Sequence, residues 1–84
     1  MENVQTRKEI LVSALQAREQ EVMGYQINID NYTIALEEIS KLSVEEKTEL
    51  SGFADQLRTF LSSEKLEQKK AKIMLAVIQR QIND

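Results

Sequence analysis

The groups available for chemistry in this chain are carboxylates, amines, guanidinium groups, amides and hydroxyls, because His, Cys and Trp are absent. Without His, the commonest general base and zinc ligand is missing. Without Cys, there is neither a thiolate metal site nor a disulfide. Paired acids such as Glu37-Glu38 and Glu45-Glu46 fall at solvated helix ends. No Gly-rich phosphate loop occurs, and no nucleophile has a His base. Carboxylate metal sites on helical bundles normally combine Glu with His. The expectation is a protein that is not an enzyme and that uses no metal and no cofactor.

What remains is the chemistry of recognition. Residues 22–36 read VMGYQINIDNYTIAL, and Asp30 is the one charge among them. Asn, Asp, Thr and Gly are poor helix formers, so a helix needing only solvation would use Glu and Lys here. Tyr25 and Tyr32 offer a stacking face with a hydroxyl. Gln26, Asn28 and Asn31 offer donors and acceptors together. Two compatible readings follow. These groups read a small polar ligand or a partner surface, or the helix is buried by self-association with its amides satisfied across the interface. A second feature is the recurrence of Arg58, Lys65 and Lys72 at intervals of seven, with Lys69 close by. This cationic edge is either an inter-helix ion pair between Lys65 and Glu19 or an anion site for phosphate groups.

The elements that carry these groups are helices. At 84 residues the chain is one domain, and such a chain buries only roughly 60% of its unfolded surface. No Pro and two Gly are too few for the turns of a many-stranded sheet. Apolar residues instead recur at alternating spacings of three and four. The first seam runs Val4, Lys8, Leu11, Leu15, Arg18, Val22, Tyr25, Ile29, Tyr32, Leu36, Ile39. The second runs Leu50, Ala54, Leu57, Leu61, Glu64, Gln68, Ala71, Leu75, Ile78, Ile82. Between them, Ser43 followed by Glu46 forms a capping box that starts a helix near Val44. The spacing therefore predicts an all-α fold: helix one over about 3–40, a turn at 41–43 and helix two over about 44–83. The two helices pair as an antiparallel hairpin. A break at Ser51 and Gly52, or at Ser62 and Ser63, is the alternative and gives three helices.

A turn centred near Leu42 sets the pairing. Arg18 then faces the region between Glu64 and Gln68, and Tyr32 faces Gly52. The Arg18 layer either fixes register as a buried arginine–carboxylate contact or lines a ligand site with Glu64. Outside both seams lie Ile10, Met23, Ile27, Ile34, Leu66, Ile73 and Val77. A hairpin cannot cover these outer faces itself, and apolar stripes left open mark interfaces. Met23, Ile27, Ile34, Leu66, Ile73 and Val77 are accordingly the expected oligomer contacts.

The net charge of −3 argues against non-specific DNA or RNA binding, although residues 64–84 alone carry +2. No apolar run approaches the roughly 20 residues of a membrane span. The N-terminal MENVQTRKEI lacks the apolar core of a secretory signal, so a cytoplasmic location is expected. The stretch AREQEVMGYQINIDNYTIALEEI, within this short helical chain, resembles small accessory proteins of tailed bacteriophages. Among them are helical sponge proteins that counter nucleotide-signalling immunity in the bacterial host. That resemblance implies a compact homo-oligomer holding a signalling nucleotide in pockets between subunits, a binding role without chemistry. The alternatives are a helical inhibitor or adaptor that docks on a host protein, and a structural coiled-coil component of the virion.

Overall fold

A computed structural model describes residues 4–84, with side chains from Thr6 onward. The expected helix start near residue 3 and the side chain of Val4 lie outside the described residues. Helix α1 runs Val4–Ser40, α2 Val44–Glu49 and α3 Ser51–Asn83. Everything else described is the turn at 41–43, the single residue Leu50 and the final Asp84.

The reversal begins where α1 tightens. The amides of Lys41 and Leu42 donate to Glu38 and Ile39 carbonyls at 3.2 and 3.1 Å, the short closure that satisfies carbonyls at a helix end. Ser43 then caps α2: its extended backbone leaves Oγ free to accept from the Glu46 amide at 3.2 Å. The same hydroxyl donates to the Glu46 carboxylate at 3.1 Å. Glu45 and Glu46 occupy the first turn, where the positive end of the helix dipole favours them.

A bend separates α2 from α3 at Leu50 (φ −97°, ψ 8°). The Leu50 amide still donates to Glu46 at 3.0 Å, and its carbonyl accepts from Ala54 at 2.8 Å. The interruption therefore falls beside Ser51 and Gly52. Helix α3 passes through Ser62 and Ser63 without a break, so the alternative break at 62–63 does not occur. Both serines are exposed, and they leave the backbone ladder intact.

Helices α1 and α3 pair antiparallel along their length, from Arg7 beside Gln81 (3.2 Å) to Tyr32 beside Phe60. The two seams form the contact. Ile29 of α1 and Ala54, Leu57, Gln68, Ala71 and Ile78 of α3 are buried. The other described seam members are half-buried, except the exposed Lys8 at the open end. The pairing is offset from the expected one. Asn28 meets Glu64 and Tyr32 meets Phe60, about two helical turns further along α3 than a reversal at Leu42 requires. The reason is α2: with all six residues exposed, it belongs to the reversal and not to the paired rod.

The result is an elongated hairpin of 67 × 18 × 14 Å. Its radius of gyration is 19.1 Å, against about 12 Å for a compact domain of this length. One layer of side chains between two helices is the whole interior, and no described side chain is fully buried.

Candidate functional site

The polar break in the second seam has a different partner from the one expected. Gln68 is 8% exposed, and its amide nitrogen donates to the Val22 carbonyl at 3.2 Å and to Gln26 Oε1 at 2.9 Å. The Gln26 amide nitrogen in turn donates to Asp30 at 2.9 Å. Asn28 donates a longer bond, 3.4 Å, to Glu64. The amide-rich segment of α1 thus supplies the polar layer between the helices, through Gln26 and Asn28. Buried amides need such partners, and among the described residues no buried side-chain polar atom lacks one.

Arg18 lies away from this layer. Half-buried, it pairs with Glu21 of its own helix at 2.9 Å. The expected Arg18 contact with Glu64 and Gln68 is not formed, because the offset carries those residues past it. The same offset corrects two further pairings. Tyr32 packs on Phe60 instead of Gly52, with ring centroids 5.9 Å apart and a 38° tilt, inside the favourable range for aromatic pairs. Lys65 makes no ion pair with Glu19; the described ion pairs all join residues three or four apart in sequence, none of them between α1 and α3. Lys65 and Lys69 are exposed on α3. Neither they nor Lys72 has an ion-pair partner among the described residues.

The eight expected ligand-binding residues therefore divide by place. Gln26 and Asn28 bridge the helices, and Tyr32 closes against Phe60. Arg18 is paired locally, while Lys65 and Lys69 stand in solvent. Tyr25 and Asn28 flank a shallow open depression at Gly24, with Glu21 and Ile27 completing its rim. Asn31 is exposed on the outward face beside it. A single hairpin does not gather the eight around one enclosed cavity.

The six expected contact residues share one property. Met23, Ile27 and Ile34 on α1 are 60%, 52% and 54% exposed, and Leu66, Ile73 and Val77 on α3 are also open. Phe53, Phe60 and Met74 are exposed too, and sequence reasoning passed over them. Their signal was present: positions 53, 60 and 74 fall on one sevenfold recurrence beside the second seam. Helix α1 shows the consequence. Its apolar residues are spread around the helix, more evenly than those of α3.

Among the described residues, no three His, Cys, Asp or Glu side chains gather as a metal site requires. No described helix is long and apolar enough to cross a membrane. Compared with known proteins, the chain matches no family model, no curated protein and no solved structure.

Proposed function

We propose that this chain is a non-enzymatic binding protein whose working unit is an assembly of helical hairpins. One observation carries the reading. Twelve large hydrophobic side chains are exposed among the described residues, and apolar surface left open in this way marks interaction sites. Thermodynamics points the same way, since one layer of side chains is a thin source of stability for so small a chain. Size-exclusion chromatography with light scattering tests it. A mass of two or more chains is expected, and a lone chain at the highest workable concentration overturns the reading.

A second reading, sequestration of a signalling nucleotide between subunits, is favoured by the depression at Gly24. Tyr25 and Asn28 border it beside exposed Ile27, so packing against that face would enclose stacking and hydrogen-bonding groups together. Mass spectrometry of small molecules released on denaturing the purified assembly tests this. A nucleotide in stoichiometric amount is expected. An empty assembly whose melting temperature cyclic nucleotides do not move removes this reading and leaves the first.

A further inference from the structure

We infer that the outward face of α1 is the contact between two copies of this chain, packed antiparallel about a two-fold axis beside residue 22. This deepens the assembly reading and rests on it. The face carries its own run of three and four spacings: Ile10, Ser13, Ala17, Gln20, Gly24, Ile27, Asn31, Ile34. All eight are exposed and none is charged. The run spans about 36 Å of helix.

Its order identifies the occupant. Laid antiparallel on itself, the run brings Gln20 over Gly24 and Ala17 over Ile27, a large residue against a small one in each central layer. Ser13 meets Asn31, and Ile10 meets Ile34 at both ends. Facing large and small residues is how helix layers interdigitate, and a two-fold contact requires such self-complementarity. Met23 faces its own copy on one side of the axis. Glu21 faces its copy on the other, with Arg18 of each chain 2.9 Å away to offset the like charges. Asp30 falls opposite Gln16, and Glu9 opposite Glu37 at the margins.

Gly24 supports the same contact independently. Glycine inside a helix costs about 0.5–1 kcal/mol relative to alanine. A Cβ added at Gly24 would meet nothing within 4 Å in the hairpin, so no contact in the hairpin requires the glycine. The open position leaves room for Gln20 of a second helix lying over it.

The hairpin has surface to spare. The chain exposes 6489 Å², whereas a compact monomer of 9.7 kDa exposes about 5,100 Å². That excess is spread over both helices, and as a whole it is larger than the roughly 800 Å² that each partner contributes to a standard interface.

Single cysteines test the geometry, because the chain has none of its own. Ile10→Cys and Ile34→Cys chains are each treated alone, and then mixed, with a short bis-maleimide. Antiparallel packing gives cross-linked dimers in the mixture and none from Ile10→Cys alone. Self-linking by Ile10→Cys shows parallel packing and overturns the inference, as does a mixture that stays unlinked. Light scattering of Ile27→Glu supplies the second readout: the mass falls at least twofold with helical circular dichroism retained. If Ile27→Glu keeps its mass while Ile73→Glu loses it, the contact lies on α3. The α1 inference then fails and the assembly reading stands. An unmodified chain that runs as a monomer overturns both.

Discussion

Gln68 offers the sharpest test of how the hairpin is held. It sits at a seam position, 8% exposed, and its nitrogen is shared by the Val22 carbonyl and Gln26 Oε1. A neutral hydrogen bond contributes about 0.5–1.5 kcal/mol net. Gln68→Leu removes both bonds but orphans little. The Val22 carbonyl keeps its place in the α1 ladder, and half-buried Gln26 turns to water. Burying leucine returns about 1.5–3 kcal/mol. The leucine variant is therefore expected within about 1 kcal/mol of the parent, on the stable side. Gln68→Ala loses the bonds and leaves a void, which places it about 2–4 kcal/mol below the leucine variant. At about 4–8 °C per kcal/mol for a domain of this size, the two melting temperatures separate by at least roughly 8 °C. Circular dichroism melts at one fixed protein concentration read this directly. A leucine variant as unstable as the alanine variant refutes the reasoning, because the amide bonds would then outweigh seam packing.

Three further outcomes are expected. Ser43→Ala removes the α2 cap and lowers stability by about 1 kcal/mol in urea titrations, while Ser43→Asp retains most of it. Arg18→Leu exchanges an intrahelical pair worth about 0.3–0.5 kcal/mol for apolar burial at a seam position, so the melting temperature rises at dilutions where the chain is a single hairpin; at concentrations where copies pair through α1 the rise is smaller, because the charge that offsets the facing Glu21 residues is gone. A double-mutant cycle of Tyr32→Ala and Phe60→Ala gives a coupling of about 0.5–1.5 kcal/mol, and a coupling of zero would mean that the rings act independently.

The fold was legible where local chemistry decides it. The Ser43–Glu46 cap forms, and the residues that alternate at three and four are those that line the interface, down to polar Gln68. The pairing between helices was less legible, because it depends on where the chain finishes turning. Leu50 fits the second seam by spacing, yet it bends the backbone and detaches α2 from the rod. With α2 in the reversal, the partners of Arg18, Tyr32 and Lys65 moved. The candidate site was legible in outline only. The exposure of Met23, Ile27 and Ile34 follows from helical periodicity. The use of Gln26 and Asn28 between the helices does not, because an amide's partner is set by the pairing. The apolar groups at Phe53, Phe60 and Met74 were obscured because they sit beside the seam and outside it.

The thin interior has a calorimetric consequence. The heat capacity of unfolding scales with the apolar surface released, and ordinary domains give about 12–15 cal/mol/K per residue. A lone hairpin with no fully buried side chain among its described residues releases less than that, so its stability curve is flat and changes little across the physiological temperature range. Chains that cover one another's outward faces release more, and their curve steepens into a pronounced dome. The curvature of stability with temperature thus distinguishes a free rod from a packed assembly without knowledge of any partner.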